Sequence, residues 1–198
     1  TYYRDEFNQR YKYITGSGTD IGALTQNLSD NTLALQSNYI ARNPNPLGEK
    51  EKMNRAATYA YYDSLHEAVH PFLREYLQGE GLYDVFLVSD RGDIVYSVYK
   101  ELDYATSLVN GPYRDSGIAD AFREAQQLNE GESAFVDFRP YPPSYEAAAA
   151  FLSTPVHVGD TRIGVMIIQL PIDAMSGIMS SQGNWKETGL GETGDNFL

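Results

Sequence analysis

The hydrophobic positions of this chain change period once, at Tyr83. Before it, apolar residues recur at helical spacings; after it, they alternate or run continuously over strand-sized lengths. Over the first forty or so residues, Phe7, Ile14, Ile21, Leu28 and Leu35 stand seven apart, with Tyr11, Gly18, Thr25, Thr32 and Tyr39 four after each. Such a repeat makes a narrow helical seam and predicts one long helix of roughly 60 Å. Gly16, Gly18 and Gly22 each lower helix propensity by about 1 kcal/mol relative to alanine, so this helix must be held by packing. The segment ARNPNPLGEK (41–50) ends it, because a following proline disfavours helical geometry at Asn43 and Asn45. A second helix is predicted from Glu51 to Gln78, with Met53, Ala57, Tyr61, Leu65, Val69, Phe72 and Tyr76 at helical spacing. Pro71 should kink or split it, and Gly79 and Gly81 supply the stop.

After Tyr83, DVFLVS (84–89) is apolar on both faces, as a central strand requires. DRGD is a short connection to a return strand over Ile94–Tyr99. Residues 100–132 hold a turn at Asn110-Gly111 and a short helix from Asp115 to Gln127, with Asp115 or Ser116 as its cap. Three more strands are predicted over Ala134–Arg139, Ala147–His157 and Arg162–Leu170, the last two joined at Gly159-Asp160. Pro171 ends the last strand, and a short helix begins near Asp173. The pattern predicts an α+β layer: one five-stranded antiparallel sheet, long helices on one face, residues 100–132 over the other.

Composition narrows the function. With 21% charged and 42% hydrophobic residues the chain is an ordinary globular domain. A formal net charge of -12 repels phosphate backbones and argues against nucleic acid as a partner. No apolar run approaches the length of a membrane span; the best, GVMIIQL, is strand-sized. Thr1 is not a start methionine, so the chain is expected to be a piece of something longer. The lack of cysteine is compatible with an oxidising compartment. Sixteen tyrosines against eight phenylalanines suit pockets that need apolar walls with polar tips.

The stretch YDVFLVSDRGDIVYSVYKELDYATSL (83–108), the segment ending FLSTPV and the strand IGVMIIQLPID together resemble the extracytoplasmic Cache domains. These are PAS-like sensors of bacterial chemoreceptors, histidine kinases and cyclases. The resemblance covers nearly the whole chain and implies the membrane-distal module of a double Cache domain with its N-terminal helix. Residues 1–82 would be the two helices, 83–182 the PAS-like module and 183–198 the start of a second module, led by GLGETGDNFL. It implies a periplasmic or extracellular sensor within a membrane-anchored receptor, a small organic ligand, no cofactor, no enzymatic activity and a homodimer formed through the N-terminal helix. Amino-acid-binding members carry an arginine and a Trp-Tyr pair in the crossing segment, a Tyr-x-Asp on the third strand and an acid near the end of the last. This chain has Tyr113 and Arg114 without a tryptophan, Phe135 and Asp137 in place of Tyr-x-Asp, and Gln169 in place of the acid.

Strand alternation puts Phe135, Asp137 and Arg139 on one face, where acid, base and aromatic can bind a zwitterion or pair with each other. Tyr96, Tyr99, Tyr104, Tyr141 and Tyr145 flank the same end of the sheet, as a small-molecule site wants. The expected ligand set is Tyr96, Tyr104, Tyr113, Phe135, Asp137, Arg139, Tyr145 and Gln169. Two other motifs compete. HEAVH (66–70) matches a zinc-hydrolase pattern, with Glu67 as base, but Pro71 should push His70 out of register and leave a helix-surface pair rather than a metal site. RGD (91–93) is explained by the turn it occupies. A ligand-free dimerising spacer is the remaining alternative.

Overall fold

Local capping, more than the seven-residue beat, decides the N-terminal region. The computed structural model describes residues 2–58 and 60–172. A π-helical segment Tyr2–Phe7 leads into α1 (Asn8–Thr15), and Gly16 closes it with φ 80° and an N–H bonded to Lys12 O. Asp20 starts α2 (Ile21–Thr25) by accepting from the N–H groups of Gly22 and Ala23. Asn27, at φ 61°, breaks the chain again before Ser29 caps α3 (Asp30–Gln36) through the Thr32 N–H; a π-helical segment Ser37–Ala41 follows. The single 60 Å helix is therefore corrected to a set of short pieces. Each is too short to be stable alone in water, and together they wrap a buried cluster that joins Phe7, Tyr11, Leu24, Tyr39 and Ile40 to Leu102, Tyr104 and Tyr113. Phe7 and Tyr11 of the expected seam are spent inside the chain.

The second helix also starts later than its periodicity implies. Lys50–Lys52 is a 3-10 turn, and α4 runs from Tyr61 to Glu80. Asp63 in the first turn of α4 accepts from the Thr58 N–H and hydroxyl and from the Tyr39 hydroxyl, tying the entry to the N-terminal cluster. Of the kink or split expected at Pro71, the split does not occur, and α4 continues through it as one helix. Packing of Leu73 and Leu77 on the sheet offsets the missing hydrogen bond. Gly81 (φ 65°) stops the helix as predicted.

The five strands are β1 (Asp84–Ser89), β2 (Ile94–Ser97), β3 (Ala134–Tyr141), β4 (Ala147–Val158) and β5 (Thr161–Pro171). They form one antiparallel sheet in the order β2-β1-β5-β4-β3, the α+β layer predicted. No strand lies before Asp84 among the described residues. The RGD is the β1–β2 turn, where Gly92 takes φ 87° against Val109 and Phe122.

β1 alternates cleanly between two cores. Val85, with Leu87, Met166 and Ile168, faces Leu73 and Leu77 of α4. Phe86 and Val88, with Val165 and Ile167, face Ile118, Ala121 and Phe122 of α5 (Gly117–Ala125). Ser116 occupies the N-cap position of α5, but its hydroxyl bonds Tyr113 O instead of capping. The helix expected from Asp173 and the second-module start at 183–198 lie outside the described residues. Among those described, no helix is long and apolar enough to cross a membrane.

Candidate ligand site

β2 ends at Ser97, and the chain leaving it is pinned rather than loose. The Asp84 carboxylate accepts from the N–H groups of Val85, Val98 and Tyr99, fastening the exit of β2 to the entry of β1. Lys100 then takes φ 60°, and its ammonium donates back to Ser97 O while lying 4.5 Å from the Tyr96 ring centre and 5.2 Å from that of Tyr104. Burial pushes the Asp84 carboxyl up and the Lys100 ammonium down, and each charge moderates the other.

Beyond this turn, two acids enter the interior. Glu101 accepts from the Tyr83 hydroxyl at 2.9 Å and from Ser144 Oγ at 2.8 Å, and burial with the nearby Asp103 charge raises its carboxyl well above the ordinary range. Asp103 Oδ2 accepts from the Tyr141 hydroxyl at 2.5 Å. Burial pushes its carboxyl up to about 6 against that hydrogen bond. Ser144 Oγ also accepts from Gln169 Nε2 at 3.1 Å, so β5 joins the same network. Gln169 pairs in register with Asp84 across β1 and β5.

A cleft of about 310 Å³ opens beside Glu101. Tyr2 and Phe7 of the N-terminal segment form one wall; Tyr83, Tyr99, Glu101 and Tyr145 form the other. A second, about 360 Å³, lies between Tyr3, Ile21, Gln36 and Ile40, and Tyr2 borders both. Gln36 links them, accepting from the Tyr3 hydroxyl and donating to Leu102 O and Tyr104 O.

The structure divides the expected ligand set in three. Tyr113, Tyr145 and Gln169 gather around the two acids: Tyr113 is buried 6.4 Å from the Tyr141 ring, and Tyr145 stacks on Phe7. Tyr104 turns toward α4, its hydroxyl donating to Tyr62. Tyr96 points to the α4 side, hydrogen-bonded to His70 Nδ1. Phe135, Asp137 and Arg139 are exposed on edge strand β3 beside a shallow groove with Asp120 and Arg123 of α5. Those three do not share a face. A bulge between Val136 and Arg139 leaves Val136 opposite Phe151 and Arg139 opposite Ala149, an extra residue on β3. The phase slips by one, so Arg139 joins Val136 on the α5 side, where it pairs with Asp120. Phe135 stays on the other side.

Glu101 and Asp103 were missed by sequence reasoning. The signal was the charged run YKELDY at the end of a buried strand: acids there either turn to water or are placed inside.

HEAVH is placed differently from its prediction. His66 and His70 are buried, not on the surface, and stay in register, their rings stacked 4.4 Å apart. His70 uses both nitrogens, on Tyr96 and on Glu51 O, while His66 Nδ1 bonds Asn54 O. Glu67 turns outward to Arg55. Stacked rings engaged in this way serve as a structural pair, and burial, with the Lys100 charge second, pushes His66 down to about 3 and His70 down to about 4. Among the described residues, no cluster of three metal-binding side chains occurs.

No protein-family model matches the chain, and no curated protein matches it. Several solved structures do. The sensor domain of the Vibrio cholerae histidine kinase DctB is 12% identical with a TM-score of 0.45, over 90% of this chain and 57% of that one. The sensory domain of the Campylobacter jejuni chemoreceptor Tlp3 is 12% identical with a TM-score of 0.45, over 88% and 62%. The ligand-binding domain of the Pseudomonas aeruginosa amino-acid chemoreceptor PctC, solved with GABA, is 13% identical with a TM-score of 0.42, over 63% and 51%. The chain spans less than two thirds of each of these structures. It is similar to sensor domains of histidine kinases and chemoreceptors.

Proposed function

We propose that this chain is the ligand-binding, membrane-distal module of a Cache-type extracytoplasmic sensor in a transmembrane chemoreceptor or sensor histidine kinase. The sequence resemblance in 83–108 supports the family. One observation carries the function: the cleft has one wall on the N-terminal helices and the other on the loop leaving the β1–β2 hairpin. A small molecule there touches both bodies at once. It therefore binds different helix–sheet arrangements with different affinity, which a population shift requires. Signalling runs through movement of the N-terminal helices against the sheet.

A thermal-shift screen of amines, organic acids and amino acids tests the binding half, since a ligand at a hundredfold excess over its dissociation constant stabilises the fold by about 2.7 kcal/mol. Spin labels at Tyr13 and Val158, both exposed, test the signalling half. The distance between them should change when the hit is added. An unchanged distance distribution sinks the helix-movement reading.

A further inference from the structure

Among the described residues, nothing covers one face of α4, and that face is built almost wholly of apolar side chains. Tyr61, Leu65, Val69, Phe72 and Tyr76 are between 42% and 79% exposed. At about 100° per residue they fall within about 80° of arc, a stripe running roughly 22 Å along the helix. The core-facing side of α4 is elsewhere, where His66, His70 and Leu77 are buried. A contiguous apolar patch of this kind on a folded domain marks an interaction surface.

The stripe is complementary to itself. Laid antiparallel against a second α4, it sets Tyr61 opposite Tyr76, Leu65 opposite Phe72 and Ala68 opposite Val69, all in one register. A two-fold interface requires this property, since the same patch serves both sides. The small Ala68 at the crossing point lets the helix axes approach to about 8–10 Å.

Charge selects the same arrangement. Within about a quarter turn of the stripe, Glu75 and Glu80 alone carry charge. Parallel copies bring these like charges side by side, which disfavours that pairing. Antiparallel copies hold the two Glu75 residues roughly 20 Å apart and set each acid near the first turn of the facing α4. That turn has Ala60 at its N-cap and no side-chain cap, and its positive dipole end favours an acid. On a chain of net charge -12, a face so poor in charge is where two copies can meet.

Full burial of an aromatic side chain covers about 150–250 Å², so the partly exposed stripe offers on the order of 500 Å² per copy. A standard stable interface takes about 800 Å² per partner, and the smaller area suits a reversible dimer. The N-terminal seam expected to make the homodimer has Phe7 and Tyr11 inside the chain instead.

We infer that two copies of this chain associate reversibly through α4, antiparallel, with Phe72 of each against Leu65 of the other. The inference does not depend on the reading of the cleft.

Sedimentation velocity of the 198-residue chain tests it at loading concentrations from about 10 μM to about 1 mM. A monomer–dimer equilibrium should appear, with a dissociation constant on the order of 100 μM. Phe72→Glu should weaken it by about tenfold or more. The melting temperature of dilute protein should not change, because Phe72 is already exposed. The chain has no cysteine, so Tyr61→Cys and Tyr76→Cys report the geometry directly. Mixed and oxidised, these two variants should form disulfides with each other and not with themselves. A monomer at every concentration, or a dimer that Phe72→Glu leaves intact, overturns the inference. Self-linking of either cysteine variant alone also overturns it, since that reports parallel copies. So does a monomer in which Phe72→Glu lowers the melting temperature, because a segment of the same chain then covers the face.

Discussion

The ring of Phe7 stacks on that of Tyr145, 5.2 Å between centres at an interplanar angle of 25°. Beside this contact the Tyr11 hydroxyl donates to the Glu146 carboxylate. Tyr145 and Glu146 both have positive φ, 57° and 64°, a conformation costly for side chains of this size. The N-terminal helices thus grip the sheet at a strained corner that borders the cleft.

Removing that grip should be expensive. Phe7 is 2% exposed, and Phe7→Ala should destabilise the domain by about 3–5 kcal/mol, from lost burial and the cavity left behind. Urea denaturation measures it. A loss under about 1 kcal/mol would show that the segment is not anchored through this ring.

The histidine pair makes a spectroscopic prediction. His66 and His70 have folded values depressed to about 3 and about 4, below the unfolded value near 6.5. Their contribution to stability is therefore complete above about 6.5 and is lost as pH falls toward 4. Ring chemical shifts at pH 5 should report neutral imidazoles for both. Zinc should not raise the melting temperature, and a bound zinc lost in His66→Ala would reinstate the hydrolase reading.

Asp103 has the opposite sign. Its folded value of about 6 is raised above the unfolded one, so its stabilising contribution is present below about 4 and lost as pH rises through 6. Without ligand, Asp103→Asn should be more stable than the parent at pH 7.5, by an amount on the order of 3 kcal/mol. The gap should close by pH 4. A gap independent of pH would mean that Asp103 is not titrating as a buried acid.

Asp137 separates two sites. It is exposed on β3, and among the described residues its carboxylate accepts from the neighbouring Phe138 N–H. Asp137→Ala should change stability by less than about 0.5 kcal/mol and leave the affinity for a hit from the thermal-shift screen within about twofold of the parent. Abolished binding in this variant would move the site to the groove between β3 and α5.

Much of the architecture was legible in the chain. The change of period at Tyr83, the apolar run of β1 and the stop at Gly81 are local signals, and local backbone preference carried them into the fold unchanged. The N-terminal breaks have local signals too: Gly16, Asp20, Asn27 and Ser29 are helix-end residues, and their caps prevail over the seven-residue beat. The seven-residue pattern and the π-helical turns still place Phe7 and Tyr11 inward, so part of that periodicity reports burial rather than one continuous helix.

The candidate site depended on contacts distant in sequence. Asp84 and Gln169 become neighbours only because β5 inserts between β1 and β4. Ser144 can join Glu101 to Gln169 only after that sheet has closed. The β3 bulge reverses the face of Arg139, which alternation alone assigns wrongly, because side-chain phase past a bulge is set by the partner strand. Whether YKELDY faces water or the interior was likewise undecided by residue type. Tertiary structure decided it, because the aromatic cover over Glu101 and Asp103 comes from Tyr83, Tyr113 and Tyr141, brought together by the fold.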